Sequence, residues 1–193
     1  MRLVPALLLP LLFLVAACSE PPRKELDRAQ GAIDAARAAG AEQYAPQAWT
    51  AATSALKQAY EAVEQRDYRL ALTRALDASD RAQDASKGAA DGKARARSEA
   101  ESAINAATGA VQRLQARIDG DRVRIPRREL DAAHRTERDG EMALQKARAS
   151  LNTGDYLQAK EAVKDVEARI AVQMQALDAA AAVRPAKPPR RRR

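Results

Sequence analysis

The 193-residue chain has one Phe, one Trp and four Tyr, a single cysteine and a single histidine, and each scarcity removes something. With so few aromatics, its apolar content is largely alanine. At about 25 cal/mol per Å² of buried apolar surface, alanine seams yield far less than seams of Leu and Ile, which predicts thin, extended helix pairs. One cysteine excludes an intramolecular disulfide. The lone histidine, His134, has no cysteine or second histidine near it. Asp131, Glu137 and Asp139 stand at spacings that offer no metal geometry, so His134 reads as a solvent-exposed helix residue and no metal site is expected. No nucleophile with a base, no paired buried carboxylates and no phosphate loop can be assembled, and Gly88-Ala-Ala-Asp-Gly92 reads as a helix interruption. The chain is therefore read as non-enzymatic and without a cofactor.

Long apolar runs are also missing. Residues 3–17 are apolar but interrupted by Pro5 and Pro10, and 15 residues fall short of the roughly 20 needed to span a bilayer. Behind Met1 and Arg2 this segment has the form of a signal peptide. Its end, Leu14-Val15-Ala16-Ala17-Cys18, resembles the bacterial lipobox. That resemblance implies a diacylglyceryl group on the Cys18 thiol, cleavage before Cys18, and acylation of the new amino terminus. One acyl chain binds membranes only marginally, whereas several anchor stably. Ser19 and Glu20 lack the aspartate that in enteric bacteria retains lipoproteins at the inner membrane, so the resemblance favours the periplasmic face of the outer membrane.

The net charge of +7 belongs to the two ends of the chain. Arg2 supplies one charge, and Arg184, Lys187 and Arg190, Arg191, Arg192 and Arg193 supply six, leaving residues 18–183 neutral. Pro185, Pro188 and Pro189 forbid a helix there, so 184–193 reads as a disordered basic tail. It is a candidate tether for an anionic envelope surface. Nucleic acid would attract it too, but the envelope address argues against that partner.

Between Arg23 and Val183 the pattern is helical. Leu26, Ala29, Ile33 and Ala36 form one stripe, which stops at Gly40. Pro46 opens a second helix carrying Trp49, Ala52, Leu56, Ala59 and Val63. Asp67 caps a third, whose stripe of Ala71, Ala75, Ala78, Ala82 and Ala85 is entirely alanine. The plan then repeats. Residues 102–107 echo 31–36, Ile125-Pro126 stands for Ala45-Pro46, and Tyr156, Ala159, Val163, Val166 and Ile170 repeat the third-helix stripe 88 residues on. The second copy gains nine residues before its proline and eight after it, as an antiparallel hairpin requires. In that hairpin the arms flanking Asp119 to Ile125 pair, bringing Leu114 near Leu130 and Val111 near Ala133. Glycines 88 and 92 fall in a connector read as mostly helical.

The run Ala38-Ala39-Gly40-Ala41-Glu42-Gln43-Tyr44-Ala45-Pro46, with Asp67-Tyr68 and Ala71, Ala75 and Ala78, resembles a family of alanine-rich bacterial envelope lipoproteins described only as a domain of unknown function. The resemblance covers residues 25–85, weakens in the second copy, and implies helical hairpins and an envelope location. Gly154-Asp155-Tyr156 with Ala159 also looks like half of a tetratricopeptide unit, although those repeats recur every 34 residues. Tyr44, Tyr68 and Tyr156 read as packing residues beside turns. Trp49 lies on its helix's seam and is the candidate partner-contacting aromatic.

The expectation is an all-α chain of two tandem antiparallel three-helix units or long coiled-coil-like hairpins. A signal peptide spans 1–17, a lipidated linker 18–22, the first unit 23–92, the second 93–183 and the tail 184–193. The expected role is a non-catalytic, lipid-anchored scaffold or adaptor presenting helical surface to an unidentified envelope protein. The alternative is a tetratricopeptide-like peptide-binding or chaperone module.

Overall fold

The computed structural model describes residues 20–121 and 125–182. All regular structure among them is helical: α1 (Arg23–Ala38), α2 (Ala41–Tyr44), α3 (Pro46–Glu64), α4 (Tyr68–Asp121), α5 (Arg127–Thr153), α6 (Tyr156–Val163) and α7 (Val166–Ala182). The chain divides into two compact units between Gly92 and Lys93. That division falls inside α4, which supplies the third helix of unit 1 and the first of unit 2.

In unit 1, Gly40 stops α1 in the left-handed conformation with φ 85°, the one-turn α2 follows, and Pro46 opens α3 at its first position. The predicted stripes are the buried ones. Leu26, Ala29, Ile33 and Ala36 of α1, Ala52, Leu56 and Ala59 of α3, and Ala75, Ala78, Ala82 and Ala85 of α4 form one core, and Ala71 is buried as well. Trp49 and Val63 are half-buried against it.

The α3–α4 and α5–α6 turns are built alike. In the first, the Arg66 N–H donates to the Val63 carbonyl and the Asp67 N–H to the Ala62 carbonyl, each at 2.9 Å. In the second, Gly154 donates to Leu151 and Asp155 to Ser150, at 3.1 and 2.9 Å. These are paired Schellman bonds 88 residues apart, and both need a left-handed residue, which is Arg66 at φ 59° in one and Gly154 at φ 82° in the other. Asp67 and Asp155 then cap the next helix, accepting from the N–H of Leu70 at 2.9 Å and of Gln158 at 3.2 Å.

Unit 2 follows the same plan with longer arms, α5 having 27 residues where α3 has 19. Its core is also richer. Among the described residues, ten Val, Leu and Ile side chains are buried there, from Ile104 to Leu177, against Leu26, Ile33 and Leu56 in the core of unit 1. Lys160 donates to Glu99 at 2.8 Å and Arg117 to Asp178 at 2.9 Å, so both cross-helix ion pairs span 61 residues. A constant separation over 18 residues is what two parallel helices in register produce, so α6–α7 runs parallel to α4 and α5 antiparallel to both. The helix breaks briefly at Lys164, yet Val163, Val166 and Ile170 stay buried in one seam.

Two expectations are corrected. The helical reading of the connector holds, and the reading of Gly88 and Gly92 as an interruption does not, because α4 runs through both. A Cβ at Gly92 would stand 2.2 Å from the Tyr44 carbonyl oxygen, and one at Gly88 would stand 3.3 Å from Ala45 Cβ. Their role is steric, since together they form the recess on α4 that receives the α2–α3 turn. The α4–α5 register also differs. A Cβ at Gly140 would lie 2.9 Å from Val111 Cγ2, and Arg148 donates to Thr108 at 3.3 Å. Val111 thus faces Gly140, seven residues or about two turns beyond Ala133. Buried Gly140 is where α5 admits Val111 of α4 together with Val166 and Ile170 of α7.

Candidate functional site

Cys18 and Arg190, Arg191, Arg192 and Arg193 lie outside the described residues, as does the rest of 184–193. Of the proposed contact residues, Trp49 alone is placed. Its ring packs on the unit 1 core, and the Arg37 guanidinium carbon lies 5.2 Å from the ring centroid, within cation–π range. The alignment of α1 and α3 creates this contact: Arg37 ends the first stripe's helix and Trp49 begins the second's, so an antiparallel pairing brings them together.

Below that pair, α1 and α3 leave an open groove of about 530 Å³. Ile33 and Leu56 are its buried floor, Tyr60 is an exposed wall, and Arg37, Lys57 and Glu61 stand at the rim. Lys57 and Glu61 are 3.7 Å apart, an exposed pair of small energetic consequence. The groove can accept an apolar or aromatic side chain with charges beside it. Tyr60 escapes the sequence pattern because it sits one position off the alanine stripe, beside Ala59. An aromatic at a solvent-facing position of an otherwise polar surface was the available signal.

His134 corrects its expected exposure. It is half-buried, and its Nδ1 lies 3.1 Å from Glu137 Oε2, whose side chain is only 13% exposed. Glu137 occupies the position 88 residues after Trp49, so this polar pair stands where unit 1 has its aromatic. One turn beyond Ile170 on the α7 seam, the Gln173 Nε2 is buried with no hydrogen-bond partner among the described residues. No cluster of three or more His, Cys, Asp or Glu side chains suited to a metal ion occurs among the described residues.

Among the described residues, the resolved electrostatic perturbations arise from exposed ion pairs. The hydrogen bond from Lys160, and then its charge, hold the Glu99 carboxyl below the usual carboxylate range. The hydrogen bonds to Glu101 and to Glu161 raise Arg97 and Lys164 above their ordinary values, with Coulombic attraction second. These exposed pairs brace the helices that carry them.

Tyr44 and Tyr156 pack against the cores beside their turns, and Tyr68 is half-buried at the start of α4. Compared with family models, curated proteins and solved structures, the chain matches none.

Proposed function

We propose that this chain is a non-catalytic, lipid-anchored scaffold or adaptor of a bacterial envelope, presenting helical surface to a periplasmic partner from the outer membrane. The observation that carries the scaffold reading is the closure of both seams. Ala71, Ala75, Ala78, Ala82 and Ala85 in unit 1, and Ala107, Leu114, Ala147 and Ala159 in unit 2, are fully buried, so each unit satisfies its apolar stripe internally and turns charged faces outward. No helix among the described residues is long and apolar enough to cross a membrane, and in this reading attachment falls to Cys18. The basic tail adds a second, electrostatic contact with an anionic envelope surface.

Replacing Cys18 with Ala tests the anchor. The expected result is unprocessed or soluble protein, whereas the native protein fractionates with membranes and carries an acylated amino terminus at residue 18. A variant with the native mature mass that still fractionates with membranes overturns the reading.

The α1–α3 groove, with Ile33 and Leu56 below an exposed Tyr60, favours the alternative of a peptide-binding module. Peptides that change Trp49 fluorescence in the native protein, and fail to do so after Tyr60→Ala, would select that alternative.

A further inference from the structure

Seven large apolar side chains are exposed among the described residues, and three of them, Leu70, Leu72 and Leu76, fall within seven positions of α4. They are 39%, 38% and 44% exposed. Leu72 and Leu76 stand one step from the seam alanines Ala71 and Ala75 and continue from half-buried Tyr68 at four-residue spacing. Leu70 lies on the other flank, toward Ala62 of α3 and Gln65 of the turn that follows it.

The fold does not require leucine at these places. In unit 2 the positions 88 residues on are Gln158, Lys160 and Lys164, and the two lysines pair with Glu99 and Glu161. The corresponding stretch, in the same kind of bundle, carries one amide and two solvated charges where unit 1 carries leucine. Unit 2 exposes one leucine in its corresponding turn, Leu157, where unit 1 has Arg69.

What distinguishes unit 1 is the segment that enters it. α1 and α3 are antiparallel, so the start of α1 at Arg23 lies at the same end of the unit as the Gln65-Arg66-Asp67 turn and the first turns of α4. From Cys18 to Arg23 is five residues, a reach of no more than about 18 Å. Leu70 to Leu76 spans about 9 Å along the helix axis, comparable with the depth to which apolar faces enter the boundary between headgroups and acyl chains. Charge at this end balances, with Arg23, Lys24, Arg28, Arg66, Arg69 and Arg74 against Glu20, Glu25, Asp27, Glu61, Glu64 and Asp67. Attraction by lipid headgroup charge is thus weak, and the apolar contact dominates.

We infer that this end of unit 1 is a membrane-docking surface, with Leu70, Leu72 and Leu76 seated in the lipid interface beside the anchor. The inference rests on the reading of Cys18 as acylated. It makes the tether a two-part attachment in which acyl chains hold the protein at the bilayer and the leucines fix how unit 1 meets it.

The test uses the full chain, processed in a bacterial host and reconstituted into phosphatidylcholine vesicles. Acylation blocks Cys18, so a cysteine introduced by Leu72→Cys, or in a second protein by Leu70→Cys, takes an environment-sensitive fluorophore alone. Gln43→Cys, in α2 at the opposite end of unit 1, is the control, and circular dichroism verifies that each variant retains its helices. The expected result is a blue shift, with quenching by nitroxide-bearing lipid, at 72 and 70 but not at 43, unchanged between low and physiological salt. Flotation with vesicles but no quenching at 72 or 70 overturns the docking surface and leaves the anchor standing. Failure to float overturns both. A blue shift without lipid quenching, together with disulfide-linked dimers of the unlabelled Leu72→Cys protein, assigns the leucines to a second copy of the chain and overturns the inference.

Discussion

Replacing Gly92 with Ala adds one methyl group, and the structure says where it goes. The new Cβ would stand 2.2 Å from the Tyr44 carbonyl oxygen, 3.0 Å from its carbonyl carbon and 3.2 Å from its Cβ, whereas real Cβ contacts essentially never fall below 3.0 Å. The obstructing atoms are backbone, so no rotamer change relieves them, and the turn must retreat by about 1 Å in an interior packed as densely as a crystal. That retreat lifts Ala45 from Gly88 and loosens buried Ala41 in a core whose large aliphatic side chains, among the described residues, are three. Overpacking typically costs about 1–3 kcal/mol, and a backbone obstruction belongs at the upper end. Alanine's better helix propensity returns about 1 kcal/mol, leaving a net loss of about 2 kcal/mol. For a domain of this size each kcal/mol moves the midpoint by about 4–8 °C, so unit 1 should melt about 8–16 °C lower. Trp49, the sole tryptophan, lies in unit 1, so its fluorescence during thermal unfolding reports that unit in the full chain. Gly31→Ala supplies the control. It makes the same chemical change inside a helix with nothing within 4 Å of the new methyl, and should stabilise by about 1 kcal/mol. Gly92→Ala melting at or above the native midpoint would refute the steric reasoning.

Two further outcomes are expected. Arg66 holds φ 59° where its counterpart is Gly154, so Arg66→Gly should stabilise unit 1 by up to about 1 kcal/mol and Gly154→Ala should destabilise unit 2 by about as much, measured by urea unfolding; equal signs would sink the left-handed-turn account. Glu99 has a depressed folded-state pKa, so its pair with Lys160 contributes stability above the ordinary carboxylate range and loses it as pH falls through the depressed value. In an NMR titration, Lys160→Ala should move the Glu99 midpoint upward toward the ordinary range, and an unmoved midpoint would remove Lys160 as the cause.

Much of this architecture was legible because the chain is periodic and its punctuation is chemical. Ala71, Ala75, Ala78, Ala82 and Ala85 announce one helix face by spacing alone, and Gly40, Pro46, Asp67 and Asp155 mark ends whose hydrogen bonds are local. What failed to show was pairwise. The meaning of Gly92 depends on Tyr44, 48 residues away, and no propensity distinguishes a glycine that weakens a helix from one that admits a neighbouring backbone. A sequence folded symmetrically about residues 119–125 places Val111 by Ala133, and the true α4–α5 register differs. In the structure α4 continues to Asp121, α5 begins at Arg127, and the contact of Gly140 with Val111 sets the alignment. Tyr60 and the leucines at 70, 72 and 76 lie off the seams, so periodicity identified the core and passed over what it left outside.

An all-alanine seam leaves one degree of freedom weakly determined. Sliding α4 by seven residues would exchange Ala75 for Ala82, Ala78 for Ala85 and Ala82 for Ala89, all fully buried and chemically identical, so the seam itself scarcely penalises the slip. The α2–α3 turn does. In the slipped alignment it would meet Arg95 and Glu99 in place of Gly88 and Gly92, and each carries a Cβ where the native recess has none. The two glycines therefore act as a detent on an otherwise smooth track, selecting one axial position among near-degenerate ones. A bundle of this kind can be built from the smallest helix-forming side chain and still have a single alignment, provided one place along it refuses every other.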